Sequence, residues 1–136
     1  MTGIQIGWRQ PFTSTEANRL HAEAFNARLV PDDEWDWVAL VEGHSFGWAT
    51  ARADGELVGF ANVITDGLVH AWLQDVMVSP GRQRQGIGRL MVLEVRSRVA
   101  EVGHEWLHVD FDDDAADFYY RGCGFQPTNA GLLHLP

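Results

Sequence analysis

The sequence predicts one mixed α/β (α+β) domain with a central, mostly antiparallel sheet flanked by helices. Three observations predict it. Two Asp-Gly pairs, Asp54-Gly55 and Asp66-Gly67, separate strand-like apolar runs, and Asp-Gly between such runs marks a tight hairpin turn, because glycine supplies the positive φ the turn needs. From Gly86 the apolar period changes to about four, with Ile87, Met91, Val95 and Val99 on one stripe, the spacing of an amphipathic helix. A further strand-like run, Trp106 to Phe111, follows that helix, and a strand–helix–strand unit brings its two strands parallel.

The elements follow in chain order. Ile4, Ile6 and Trp8 alternate with polar or small residues as an opening strand would. Thr13 and Glu16 have capping-box spacing, and the pattern from Thr15 to Ala27 reads as a helix. Pro31 is expected to start a second, shorter helix through about Val41, with Asp32, Asp33, Glu34 and Asp36 at the positive end of its dipole. Strands are expected at Phe46–Arg52, Leu57–Ile64 and Val69–Val78, the last stopped by Ser79-Pro80-Gly81. The helix after Gly86 runs to about Val102, with Gly103 at its C-terminal cap. A short helix over Asp114–Arg121 and a last strand-like segment over Phe125–Leu135 complete the reading.

Composition narrows the function. The chain has 136 residues, 46% of them hydrophobic, enough for a single core, so one domain is expected over residues 1–136. No apolar stretch approaches the roughly 20 residues that span a bilayer, and the N-terminal residues lack a signal-peptide pattern. A lone cysteine, Cys123, forms no internal disulfide. These features predict a cytoplasmic protein that does not enter a membrane. The formal charge is −9 and all ten basic residues are arginine. A net-acidic surface repels phosphate backbones, which disfavours nucleic acid as a partner and suits a cationic substrate.

Against that balance, three arginines cluster in the stretch Asp75 to Arg89, at positions 82, 84 and 89. The stretch reads as a strand, a glycine-containing loop and a helix start. Exposed amides at a helix N-terminus hold phosphate. Gly86 and Gly88 let the backbone approach a ligand, and arginine adds charge-assisted hydrogen bonds. A dinucleotide fingerprint would need glycine where Met91 stands, and a P-loop needs a lysine that the chain lacks.

What remains resembles the acetyl-CoA loop of GCN5-related (GNAT) acetyltransferases, whose pattern Gln/Arg-x-x-Gly-x-Gly/Ala stands here as Gln83-Arg84-Gln85-Gly86-Ile87-Gly88, with Val78-Ser79-Pro80 in the place of the family's Val-x-Pro. A second family motif, Asn-x-x-Ala-x-x-x-Tyr-x-x-x-Gly-Phe, is matched by Asp113, Ala116, Tyr120, Gly124 and Phe125, with aspartate replacing the usual asparagine. The likeness covers roughly Val58 to Phe125; the N-terminal third matches only in its order of elements.

The resemblance implies the GNAT fold and an N-acetyltransferase that uses acetyl-CoA as co-substrate and no metal. It implies that Val76, Met77 and Val78 lie along the pantetheine arm of coenzyme A on a strand that bulges and splays from its neighbour. An amide there, that of Val76 or Met77, would bind the oxyanion, and residues Gln83 to Arg89 would hold the phosphates. Tyr120 takes the place of the acid that protonates the leaving thiolate, and Asp75 is the first choice of general base, with His108 and Glu42 as others. An aspartate at 113 accepts but does not donate unless protonated, so its contact with coenzyme A is an open point.

The acceptor is expected to be a small-molecule or peptide amine. A coenzyme-binding module without turnover, or transfer to a macromolecular amine, are the alternatives. Family members often pair through their last strands, which implies a possible homodimer. The six histidines show no paired metal-ligand spacing. Trp35 and Trp37 are candidate acceptor contacts, and Cys123 is expected to pack rather than react.

Overall fold

A computed structural model of the chain describes residues 3–136. Five strands, β1 (Gln5–Trp8), β2 (Gly47–Ala53), β3 (Glu56–Thr65), β4 (His70–Val78) and β5 (Trp106–His108), form one sheet in that order. The first four are antiparallel neighbours, and β5 joins β4 in parallel. Helix α3 (Ile87–Glu101) connects β4 to β5, and α1 (Ser14–Ala24) and α2 (Trp37–His44) connect β1 to β2. This is the mixed, mostly antiparallel sheet with a strand–helix–strand unit that the sequence predicts. Asp54 and Gly55 both take positive φ, 52° and 80°, as a type I′ hairpin turn requires.

The sheet carries a core layer on each face. Beneath α3, the stripe Ile87, Met91, Val95 and Val99 packs on Ala49, Val63, Ala71 and Leu73. On the opposite face, Ala17 and Leu20 of α1 and Trp37 and Val41 of α2 meet Leu57, Phe60 and Met77. Helix α1 begins as expected: the Thr13 hydroxyl accepts from the Glu16 amide at 3.1 Å, and the Thr13 amide donates to the Glu16 carboxylate at 2.9 Å. The same carboxylate receives Arg52 of β2 at 2.8 and 3.1 Å, which ties the helix start to the sheet.

Four expectations are corrected. Helix α2 starts at Trp37, not at Pro31. Pro31 opens a turn, its carbonyl accepting from the amides of Glu34 and Trp35 at 3.0 Å, and Asp36 is the N-cap, accepting from the Ala39 amide at 3.0 Å. The acidic residues ahead of it are used elsewhere: Asp32 accepts from Thr15 and Asn18, and Glu34 pairs with Arg28. Second, β5 ends at His108 rather than Phe111, because Phe111 turns away to stack on Tyr119 at 4.6 Å. Third, residues 125–136 form no strand. Pro127 lacks a ladder donor, and Leu132, Leu133 and Leu135 are 93%, 82% and 72% exposed. Fourth, the expected helix over Asp114–Arg121 is irregular, a 3₁₀ turn Asp113–Ala115 leading into a π-helical turn Phe118–Gly122.

The Arg52 contact holds the Glu16 carboxyl down at about 2, with the Thr13 bonds adding to it. A depressed carboxylate stabilises the fold above its unfolded value and loses that contribution as pH falls through the folded one. Arg52→Ala is therefore expected to cost about 1–3 kcal/mol in urea unfolding at pH 7, and the difference from the parent protein should shrink as pH falls through about 2, leaving the part due to the Gly55 and Pro11 carbonyls that Arg52 also binds.

Candidate active site

The site begins with a fault in β4. Pairing with β3 runs from Trp72 and Leu73 to Gln74 opposite Asn62, then resumes at Met77 opposite Phe60. Asp75 and Val76 thus face one residue, Ala61, and Asp75 takes a left-handed φ of 55°. This is a β-bulge, and it inverts the alternation of side chains. Leu73, Val76 and Val78 all reach the α3 layer, whereas Met77 crosses to the α1 layer. An unbulged strand would put Asp75 beneath α3.

Past the bulge the sheet opens. β4 and β5 pair only at His70–Trp106, Ala71–Leu107 and Trp72–His108, while β4 continues to Val78. The two chains therefore part after Trp72, leaving the 73–78 edge of β4 facing a gap. Val76, Met77 and Val78 are on that edge.

The loop from β4 to α3 stands at the end of the gap. A 3₁₀ turn, Pro80–Arg82, follows β4, and the Gln83 side chain donates back to the Val78 carbonyl at 3.4 Å. Arg84 and Gly86 take φ of 65° and 81°. Gly86 is the N-cap of α3 and brings no side chain to its amides, so the first turn, Ile87, Gly88 and Arg89, presents free N–H groups and the positive end of a 15-residue helix. Gln83, Arg84, Gln85 and Gly86 are exposed. Ile87 is buried in the core at 1% exposure and offers the loop its backbone alone.

Gly88 has a structural reason that sequence reasoning missed. A Cβ there would sit 3.0 and 3.2 Å from the Phe118 ring, so its absence lets the C-terminal helical segment close on the start of α3. Arg89 strengthens the same junction by donating to the Gly122 carbonyl at 2.9 Å.

That junction sets the two tyrosines apart. Tyr119 is 7% exposed, between Phe111, Phe118 and Phe125, and burial pushes its hydroxyl up to about 12. Tyr120 is 39% exposed, with its ring edge-on to Phe111 at 5.3 Å. Cys123 is half-buried and its thiol is raised by desolvation, a packing residue as expected. Asp113 opens the 3₁₀ turn and is exposed.

On the other face of β4, desolvation raises Asp75 above the ordinary carboxylate range, and the charge of His21 on α1 pulls it down. Trp37 is core, its indole N–H donating to Asn18 at 2.8 Å, whereas Trp35 is 44% exposed. Glu42 lines a separate cleft of about 150 Å³ beside Phe12 and Trp48. The histidines are less scattered than their spacing suggests: His70 and His108 share a hydrogen bond at 2.8 Å, with Trp72 stacked on His108 at 4.8 Å. Only the β4–β5 pairing brings them together. Among the described residues no group of three or more metal-ligating side chains converges, and no helix is long and apolar enough to cross a membrane.

Comparison with known proteins agrees with this architecture. The chain matches the acetyltransferase (GNAT) family over residues 8–125. It is 34% identical over 120 residues to the N-alpha-acetyltransferase RimI of Mycobacterium tuberculosis, spanning 82% of this chain and 75% of that protein. It is 36% identical over 109 residues to streptothricin acetyltransferase of Streptomyces lavendulae, spanning 72% of this chain but 56% of that one. Among solved structures, aminoglycoside N-acetyltransferase AAC(6')-Iy in complex with CoA superposes with a TM-score of 0.75 at 16% identity, covering 100% of this chain and 96% of that one. The chain belongs to the GNAT family of acetyltransferases.

Tyr119 gives a direct test of the packing. A phenol that is neutral in the fold up to about 12 but ionises near 10 when unfolded makes stability fall as pH rises between those values. Tyr119→Phe should reduce that alkaline loss in chemical unfolding curves, leaving the smaller part that the raised Cys123 thiol contributes.

Proposed function

We propose that the chain transfers an acetyl group from acetyl-CoA to a primary amine by direct attack, the acceptor being a small molecule or a peptide. The observation that carries this reading is the bulge at Asp75–Val76 beside the parting of β4 and β5. It leaves strand amides facing a gap that ends at an uncapped helix N-terminus.

In this reading, the amides of Ile87, Gly88 and Arg89 and the side chains of Gln83, Arg84 and Gln85 hold the pyrophosphate of coenzyme A, and Gly86 holds the loop's shape. Arg89 serves by its backbone, since its guanidinium is engaged with Gly122. Val76, Met77 and Val78 align the pantetheine arm, and the amide of Val76 or Met77 receives the negative charge that develops on the thioester oxygen. Acetyl-CoA supplies the activated acyl group. The amine approaches from the α1–α2 face, where Asp75 takes its proton and the exposed Trp35 offers an apolar wall. Tyr120 protonates the departing thiolate.

The relatives support the acceptor class from two sides. One is by name an N-alpha-acetyltransferase and the other a streptothricin acetyltransferase, so both peptide and small-molecule amines fall within reach of related chains. The acidic balance of the sequence suits a cationic acceptor and opposes a nucleic-acid-bound one.

Calorimetric titration with acetyl-CoA, followed by thiol-release assays on amine acceptors, tests the reading. Wild-type protein should bind acetyl-CoA, and Gly86→Val, which forces a β-branched residue to a φ of 81°, should lose that binding. Tyr120→Phe should keep the affinity but slow turnover by roughly a hundredfold. Because the Asp75 carboxyl is raised by burial, turnover should fall on the acid side at a pH above the ordinary carboxylate range, and Asp75→Asn should remove that limb along with most of the rate. Folded protein that binds no acyl-CoA would refute the assignment.

A further inference from the structure

We propose that His70 and His108 form a two-imidazole binding site for a divalent copper ion at the closed end of the gap between β4 and β5. The acetyl-transfer reading leaves both imidazoles unused, and copper binding is independent of it.

Strand pairing builds the site. β4 and β5 run parallel and pair at His70–Trp106, Ala71–Leu107 and Trp72–His108, so the two histidines stand diagonally across neighbouring strands. They also share a face. Trp72 lies opposite Ile64, and Gln74 opposite Asn62. Asn62 and Ile64 follow Phe60 at the two-residue period of a strand, and Phe60 packs in the layer under α1 and α2. His70, Trp72 and His108 therefore lie on that side of the sheet. β5 is an edge strand and both imidazoles are half-buried, so an ion in solution can reach them.

The spacing selects the ion. His70 Nδ1 and His108 Nε2 are 2.8 Å apart. Imidazole nitrogens sit about 2.0–2.1 Å from a bound metal, so two at a right angle stand about 2.8–3.0 Å apart and two at the tetrahedral angle about 3.3–3.4 Å. The pair fits the right angle. Right-angled nitrogen ligands suit divalent copper, which also heads the affinity order for such sites. Without the ion, the same two atoms share a hydrogen bond. A neutral imidazole carries one proton on its two nitrogens, so binding only requires the shared proton to move to the far nitrogen of its own ring. A tilt of the rings then turns both lone pairs from each other to one point, and neither strand has to move.

Two neighbours favour a cation here. The Trp72 indole stacks on His108 at 4.8 Å and 15°, which fixes the plane of that ring. The Asp66 carboxylate accepts from the backbone amides of Leu68 and His70 at 2.7 and 3.1 Å, which holds a negative charge beside His70. The chain as a whole carries a formal charge of −9. Among the described residues no third metal-ligating side chain joins the pair, so water completes the coordination.

Titrating copper(II) chloride into the metal-free, untagged chain in a non-coordinating buffer tests this directly. One ion per chain should bind at micromolar concentration, and the electron paramagnetic resonance spectrum should show coupling to two imidazole nitrogens. His70→Ala and His108→Phe, the latter keeping the stack on Trp72, should each weaken binding. The loss should reach at least the roughly ten- to hundredfold that removing an outer partner of a metal ligand costs. His134→Ala, in the exposed C-terminal segment, should leave binding unchanged. A wild-type spectrum without two coordinated imidazoles, or an affinity unchanged in both His70→Ala and His108→Phe, would overturn the inference. Acetyl-CoA affinity is a separate readout, so either failure leaves the acetyl-transfer reading intact.

Discussion

One extra residue in β4 governs the arrangement of the site. Strand side chains alternate strictly, so an even register would send Asp75 into the α3 layer and turn Val76 and Val78 toward α1. The left-handed turn at Asp75 exchanges these sides within two residues. It gives Val76 and Val78 to the core under α3, gives Met77 to the core under α1, and leaves Asp75 on the face that carries His21 and Trp35. A non-glycine residue in that conformation costs on the order of 1 kcal/mol or more, and the two core layers on either side of the strand hold it there.

The rest of the site is attached to that strand at its two ends. At one end β5 pairs for three residues and departs. At the other, the loop returns as α3, and the contact of Gly88 with Phe118, reinforced by Arg89 on Gly122, draws the segment carrying Tyr120 against the helix start. The glycine that coincides with a phosphate-loop motif therefore also serves to bring the tyrosine segment close. Disturbing either contact would alter both halves of the gap together.

Much of this was legible in the sequence. Hairpin turns, the Thr13 capping box and the α3 stripe depend on neighbours a few residues apart, and all three form where the spacing places them. The two motifs that identify the family also depend on short spacing. What escaped depends on distant partners. Pro31 and its acidic followers look like a helix start until Thr15, Asn18 and Arg28 claim the carboxylates. The leucines near the C-terminus alternate like a strand, yet no strand lies beside them. The bulge leaves no mark in the residues of the run Leu73 to Val78, which is apolar on both sides of Gln74-Asp75, and only the family resemblance implies it. The pairing of His70 with His108 likewise exists only once β4 and β5 are side by side.

The central claim is that the bulged edge of β4 and the N-terminus of α3 form one continuous binding surface. Titrating acetyl-CoA into ¹⁵N-labelled protein and following backbone amide resonances tests it most directly. The account predicts that amides of residues 76–78 and 83–89 shift together at a single affinity, while those of β1 and β2 stay still. Shifts confined to another part of the molecule, or two independent titrations for strand and loop, would contradict it.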